Sequence, residues 1–562
     1  MQRASGQQRW PRRFLRPGVG VAAALLVLHG AGIAPGADGA PDGGGNAASA
    51  CAGLAGLRID AARIGLPTSG ATVDKGSIVA AGEEHRRNGA YCKVEGRIHP
   101  VDARAPPIRF QLNLPARWNG KAVQMGGSGY NGTVAAGTGQ IDMTPYFPPL
   151  WRGYATFGSD SGHERTDAEA DFALDEEALR NFGWQHLKKT RDAALHLLRL
   201  HYGGPARRVY FAGASTGGRE AFTAIQRFPA DYDGIVAVAP ALNFSGVRLM
   251  GVKLGQAAYR RAGGFVPPVK WPLVHGAGLK ACDALDGLED GIVGDVAGCR
   301  ARAQATLGAL RCRGGADLGS HCLSDAQLAT VRLLHEGYLL PYTLAHGVRG
   351  YEGYNVLAGG DFSGRHGLGR SPRPVKPPTP EANGYLYAQG DDYMKFFVAR
   401  DPSFESLAFD LDRPGALRAR LVELSGTVGA MNPDLSAFAA RGGKAIVMHG
   451  LADEVISPNQ TIAYYQEVQR RLRGAAPVDG FMRLYTVPGF QHGGGPFVPF
   501  WDALGALDRW VDGGVAPQVL EAIDIAAPTQ GRTRPLCPHP AFPKYLGRGS
   551  PDEASSYACA PP

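Results

Sequence analysis

The 562-residue sequence predicts an α/β fold, a mostly parallel sheet with helices on both faces, on three observations. Short apolar runs that read as buried strands alternate with segments patterned as amphipathic helices. Several of these runs end in glycine-rich loops. One of them, around Ser215, passes through a tight turn directly into a helix. From Ile108 the strand-like runs are IRFQLNLP, KAVQM before the loop GGSGYNG, and YATFGSDSGH. Between Leu179 and Tyr202 the residues Leu187, Ala194, Leu195, Leu197, Leu198 and Leu200 recur among charged ones, which predicts an amphipathic helix. RRVYFAG follows as a strand, and GREAFTAIQRF as a helix that Pro229 ends. The runs GIVAVAP at 234–240 and KAIVMHG at 444–450 are apolar throughout, as strands covered on both faces are.

Between about 245 and 435 this rhythm breaks. The stretch holds four cysteines, an acidic loop, the proline-rich SPRPVKPPTPE and a group of aromatic residues. It is expected to be an inserted lid domain, which divides the core into 51–244 and 436–562. A chain of this length exceeds the usual size of a single core, and an insertion accommodates the excess.

Residues 1–40 are expected to be a signal peptide. Arg3, Arg9, Arg12, Arg13 and Arg16 precede an apolar run from Val19 to Ala34 that glycines interrupt, shorter than a membrane span requires. The chain is therefore expected to be secreted or periplasmic, with no stable membrane anchor. Removing this segment takes away five arginines and one aspartate, and leaves a net charge of +4 in place of +8. No Lys/Arg block remains that would bind a phosphate backbone, so nucleic acid is not an expected partner. The eight cysteines, Cys51, Cys92, Cys282, Cys299, Cys312, Cys322, Cys537 and Cys559, form no CxxC pair, which argues against zinc or thioredoxin-like chemistry. In an exported chain they are expected to form disulfides; close spacing favours Cys282 with Cys299 and Cys312 with Cys322, and leaves the rest open.

Gly213-Ala214-Ser215-Thr216-Gly217 is a Gly-x-Ser-x-Gly string in a chain with 79 glycines, so context has to give it meaning. Ser215 follows an apolar strand and precedes a helix. Small residues at 213 and 217 allow the sharp turn that lifts a hydroxyl above the sheet edge. The helix start also aims free N–H groups at a developing oxyanion. A serine nucleophile needs a base, and the base an orienting acid, here in the chain order Ser, Asp, His. Asp453 lies just beyond KAIVMHG. His492 lies in QHGGG, beyond the strand-like FMRLYTVPGF. His449 and His163 fit that last loop less well. The second oxyanion donor, beside the Thr216 N–H, is expected from the GGSGYNG loop, at Gly129 with Gly127 as the alternative.

These residues resemble the tannase and feruloyl esterase family of α/β-hydrolases, which also includes the enzyme that cleaves mono(2-hydroxyethyl) terephthalate. The resemblance covers nearly all of the chain beyond residue 40. It rests on WNGKAVQMGGSGYNG, GASTGGREAFTAIQRFPADYDGIVAVAP, CDALDGLEDGIVGD, HGLADEVISPNQTIAYY, VPGFQHGGGP and RTRPLCPHPAF. It implies Ser215 as nucleophile, His492 as base, Asp453 as orienting acid, and a lid that contributes the substrate pocket. It implies a structural calcium ion on Asp283, Asp286 and Asp290 with the carbonyls of Leu288 and Ile292, in a loop that also carries Glu289 and Asp295 and has no basic residue. It pairs Cys51 with Cys92, Cys282 with Cys299, Cys312 with Cys322 and Cys537 with Cys559. Family members typically join a cysteine before the serine to one after the histidine; here those positions are Ala214 and Gly493. Without that cross-link the His492 loop is expected to be looser unless packing compensates.

The expected function is a secreted serine esterase that hydrolyses small aromatic esters through an acyl-enzyme. The lid aromatics Tyr385, Tyr387, Tyr393, Phe396 and Phe397 read as core packing or as pocket lining. KFFVARDPSFESLAFDLD resembles the feruloyl esterase and tannase members more, so hydroxycinnamate or gallate-type esters are expected. The alternatives are a terephthalate half-ester hydrolase, and a non-catalytic, calcium-stabilised secreted binding protein on the same scaffold. The sequence leaves the oligomeric state open.

Overall fold

Strict alternation along each strand is what gives the sheet two apolar faces. In the strand Arg208–Ala214, Tyr210 and Ala212 pack with Val236, Val238, Ile446, Met448, Tyr485, Leu504, Leu507 and Trp510. Val209 and Phe211 of the same strand pack on the other side, with Ile235, Ala237, Phe222, Ile225, Tyr464 and Val468. The first face is covered by the helix Ala503–Gly513, the second by Thr216–Arg227 and Pro458–Arg471. Each fully buried Leu, Phe or Val contributes about 1.5–3 kcal/mol of transfer free energy.

The computed structural model describes residues 49–84, 87–166 and 168–562, all within one compact unit that spans 46–562. The expected signal segment, 1–40, lies outside the described residues. The main sheet has ten strands: β1 (Arg58–Ile59), β2 (Ala71–Val79), β3 (Tyr91–Ile98), β4 (Ile108–Pro115), β5 (Lys121–Met125), β6 (Ala155–Ser159), β7 (Arg208–Ala214), β8 (Gly234–Val238), β9 (Lys444–Gly450) and β10 (Met482–Val487). Their spatial order is β1-β2-β3-β4-β6-β5-β7-β8-β9-β10. From β6 to β10 every pairing is parallel; β1 to β4 add an antiparallel extension that ends on β6. The predicted α/β sheet is thus present. The extension, which begins ahead of Ile108, was not read from the sequence because its strands are half exposed and their polar residues interrupt the alternation.

The helix expected from Leu179 to Tyr202 is His186–Tyr202, preceded by a π-helical turn at Asn181–Gln185 and a short helix at Glu176–Arg180. It lays Ala193, Ala194, Leu197 and Leu198 against Val94, Ile108, Phe110 and Leu112 of the extension. No strand of the main sheet comes from residues 239–443. That stretch carries a hydrophobic cluster of its own, including Phe244, Trp271, Leu328, Tyr354, Tyr393 and Phe397, which is continuous with Tyr130, Phe172, Phe182, Val455 and Ile456. Among the described residues no helix is long and apolar enough to cross a membrane.

Four disulfides join Cys51 to Cys92, Cys282 to Cys299, Cys312 to Cys322 and Cys537 to Cys559, the pairing the resemblance implied. The first ties the segment before β1 to β3 across 41 residues. In the chain-entropy account a loop of that length is worth about 4 kcal/mol. Replacing both Cys51 and Cys92 by Ser is therefore expected to lower the calorimetric Tm, with activity retained at temperatures below the new transition. An unchanged Tm would mean that packing of the extension alone holds that edge.

Candidate active site

The carboxyl ends of neighbouring parallel strands bring the sequence-predicted residues to one rim. Ser215 follows β7 directly, Asp453 lies three residues past the end of β9, and His492 five past the end of β10. The GGSGYNG loop follows β5, the neighbour of β7. Open parallel sheets place their sites at this rim because the strand-to-helix loops converge there.

Ser215 sits at φ 55° and ψ −119°, a conformation that non-glycine residues rarely adopt. Its N–H donates to the Val238 carbonyl (2.9 Å), and its carbonyl accepts from Arg219 (3.0 Å) and Ala241 (3.1 Å). The turn closes because there are no side chains inside it. A Cβ on Gly213 would stand 2.7 Å from the carbonyl carbon of Gly217. A Cβ on Gly126 would stand 2.5 Å from the Gly217 Cα, so the loop after β5 and the start of the helix Thr216–Arg227 touch backbone to backbone.

His492 Nδ1 lies 2.7 Å from Asp453 Oδ2, and Nε2 lies 3.2 Å from Ser215 Oγ. Against a carboxylate Nδ1 is the protonated nitrogen, which leaves the Nε2 lone pair facing the serine hydroxyl. Asp453 is buried, and its Oδ1 accepts from the Val455 and Ile456 N–H groups, each at 2.8 Å. His449 Nε2 stands 3.3 Å from Asp453 Oδ2 and 3.1 Å from the Ile456 carbonyl. Burial alone would raise the Asp453 carboxyl, but the His492 imidazole and the hydrogen bonds from His449 and His492 outweigh it and hold the carboxyl well below the usual range. Burial would lower His492, and the charge and hydrogen bond of Asp453 overcome it, so the imidazole is raised above its ordinary value of 6.5. The competitor His163 stacks on Phe172 with ring centroids 3.7 Å apart, bonds the Tyr130 carbonyl, and is pushed down to about 4 by burial. It stays neutral, committed to Tyr130 and Phe172.

The loop after β5 has a brace that sequence reasoning missed. Glu220, fully buried on the serine helix, accepts from the Gly127 N–H (3.0 Å) and from Asn131 Nδ2 (2.6 Å). That commits the Gly127 N–H. Thr216 Oγ1 donates to the Gly129 carbonyl at 2.6 Å and fixes Gly129, at φ 50°, beside the start of the helix. A charged pair, Arg219 and Glu220, inside a helix that must be buried was the available signal for this brace. Glu454 was missed as well: its carboxylate meets His366 Nδ1 at 2.8 Å and the His492 N–H at 3.3 Å.

The carboxylates of the acidic loop feel one another's charge. Asp283 is raised by burial and by Asp290 and Glu289, and Asp286 is pushed up to about 7 by burial, with Asp290 and Asp283 adding to it. Asp283 Oδ1 is buried without a hydrogen-bond partner. This all-oxygen donor set fits the chemistry of a hard cation. Among the described residues, however, no three His, Cys, Asp or Glu side chains are gathered into a ready metal cluster, and Asp290 Oδ2 accepts from Arg534 at 3.0 Å. Of the lid aromatics, Tyr387, Tyr393 and Phe397 are buried, while Tyr385 and Phe396 are half-buried.

The family described as "Tannase and feruloyl esterase" matches residues 92–560. An uncharacterised esterase of Agrobacterium fabrum is 43% identical, over 92% of this chain and 94% of its own. The mono(2-hydroxyethyl) terephthalate hydrolase of Piscinibacter sakaiensis is 32% identical, over 84% of this chain and 85% of its own. Among solved structures, feruloyl esterase B from Aspergillus oryzae superposes with a TM-score of 0.75 at 23% identity, over 92% of this chain and all of that one, a likeness of fold.

Adding one methyl group at Gly126 tests the backbone contact. Gly126→Ala is expected to slow labelling of Ser215 by a fluorophosphonate about 10²-fold, the cost of a displacement near 1 Å, while the protein stays folded. Labelling at the wild-type rate would mean that the loop after β5 does not bear on Ser215.

Proposed function

The chain belongs to the tannase and feruloyl esterase family and is a carboxylic ester hydrolase, and on that premise we propose that it is a secreted serine esterase of hydroxycinnamate or gallate-type aromatic esters. The observation that carries the chemistry is the hydrogen-bonded line from Asp453 through His492 to Ser215, at 2.7 and 3.2 Å. Ser215 Oγ attacks the ester carbonyl while His492 Nε2 takes its proton. The tetrahedral oxyanion is held by the N–H groups of Thr216 and Gly129, the Gly127 N–H being committed to Glu220. His492 then protonates the leaving alkoxide, and water repeats the sequence on the acyl-enzyme. Asp453 stays ionised and keeps the proton on Nδ1. The lid, expected over 245–435, supplies the acyl pocket in this reading; two of its segments already bond the catalytic loops, through Gly359 to Gln491 and through His366 to Glu454. Four disulfides accord with secretion.

A specific observation favours a second acyl class, the terephthalate half-ester. The Arg248 guanidinium is buried over the rings of Tyr130 (4.7 Å), Phe244 (4.4 Å) and Tyr385 (5.8 Å), and its Nε has no hydrogen-bond partner. A carboxylate at the far end of an aryl acid would neutralise it. Methyl ferulate, methyl gallate and a terephthalate half-ester, assayed with wild type and Ser215→Ala, separate the readings. The expected outcome is hydrolysis of the first two by wild type, lost in Ser215→Ala. Preference for the half-ester moves the assignment to the second class, and a folded wild type that neither cleaves esters nor reacts with a fluorophosphonate is a binding protein.

The same reading places a structural calcium ion on Asp283, Asp286 and Asp290 with the carbonyls of Leu288 and Ile292. Support comes from the unpartnered Asp283 Oδ1 and the mutual repulsion of the carboxylates. The ion has no step in ester cleavage. EDTA is expected to lower the Tm, and calcium at a hundredfold excess over its Kd to restore about 2.7 kcal/mol. A Tm indifferent to both removes calcium from the assignment.

A further inference from the structure

Glu454 directly follows the triad acid and is 6% exposed, an expensive place for a carboxylate without partners. It has partners on both sides. One oxygen meets Nδ1 of His366 at 2.8 Å, and the other lies 3.3 Å from the backbone N–H of His492. His366 comes from the insertion between β8 and β9, so Glu454 joins the histidine loop to the lid. Beside it, Gln491 Nε2 donates to the Gly359 carbonyl at 3.1 Å. These contacts lie on the loop that has no covalent tie to the serine side. Position 214 is alanine, and position 493 is a glycine at φ 89° whose Cβ direction meets only Met143 Cγ, at 3.7 Å.

We propose that Glu454 is a positioning residue for the ester hydrolysis assigned above: it fixes the His492 loop through the His492 backbone N–H, and His366 of the lid fixes Glu454. The inference rests on the esterase reading. The tie acts at the root of the catalytic side chain, because the backbone nitrogen and Cα of His492 set where the imidazole begins. It also makes the base depend on the lid: a lid that lifts with His366 loosens the carboxylate holding the His492 loop.

A merely structural acid at 454 would change stability and leave kcat alone, so the decisive readouts are kcat and its coupling to His366, with the pH profile beside them. The groups facing His492 are Ser215 and the carboxylates of Asp453, Glu454 and Asp142, with His449 behind Asp453 and His366 behind Glu454. Burial lowers His492, and the three carboxylates raise it. Removing the charge at 454 removes one of the raising groups. His492 then loses its proton at lower pH, and a rate that needs the neutral imidazole begins to rise at lower pH.

Fluorophosphonate labelling of Ser215, which needs no knowledge of the natural ester, is followed against pH together with aryl-ester hydrolysis for wild type, Glu454→Gln, His366→Gln and the double variant. Wild type is expected to rise through a limb above pH 6.5. Glu454→Gln removes the charge that strengthens the bonds to the His492 N–H and to His366; it is expected to move that limb to lower pH and to lower kcat roughly tenfold with KM nearly unchanged. His366→Gln lowers kcat less, and the double variant is no slower than Glu454→Gln, because both act through one contact. Single losses that multiply in the double variant, or wild-type rates and limb in Glu454→Gln, overturn the tie. The His366 side chain is 39% exposed, so His366→Gln folds even if Glu454→Gln does not, and wild-type labelling in it overturns the tie equally. A wild type that neither labels nor hydrolyses sinks the esterase reading itself, whereas active wild type with indifferent variants sinks the tie alone.

Discussion

Ser215 is held at φ 55° and ψ −119°, and the site exists because the surrounding backbone keeps it there. Such a conformation costs on the order of 1–3 kcal/mol. It persists because the residue's N–H and carbonyl are both committed, to Val238 on one side and to Arg219 and Ala241 on the other. Relaxing the turn would break those bonds. Glycines at 126, 213 and 217 leave the volume into which the turn folds. The serine hydroxyl, the start of the helix and the loop after β5 are therefore placed by one packing event.

The charges around the histidine are arranged with the same economy. Asp453 is buried, yet its oxygens are met by two backbone N–H groups, by His492 and by His449, so the ionised form is the satisfied one. The raised His492 and the depressed Asp453 are two views of that pair. On the serine side Glu220 performs the matching service for the loop after β5, and holds the Gly127 N–H. Two buried acids thus determine which backbone N–H is already bonded and which imidazole lone pair faces Ser215.

The insertion is bound into this arrangement. Its cluster, with Phe244, Tyr393 and Phe397, runs without a break into Tyr130, from the loop after β5, and into Val455 and Ile456, from the loop after β9. Residues 46–562 accordingly form one compact unit. In a chain without a cross-link between 214 and 493, contacts of Gly359 and His366 with the catalytic loops stand in the same region.

The parallel half of the sheet was legible because its strands are covered on both faces and read as unbroken apolar runs; GIVAV and KAIVMHG could be little else. Ser215, Asp453 and His492 were legible as an ordered set following such runs, since loops at the carboxyl ends of parallel strands converge whatever lies between them in the chain. The half-exposed strands from Arg58 to Ile98 were not, because their alternation is blurred by solvent-facing residues. Nor was the bond from the Gly127 N–H to Glu220, or the place of Glu454. Those depend on which donor a buried acid reaches, and reach is settled by ångströms between segments far apart in sequence. The sequence by itself determined the sheet and the order of the chemistry, because periodicity and turn chemistry are local; the tertiary structure alone decided which hydrogen bonds are already committed, because commitment belongs to pairs of groups that only folding brings together.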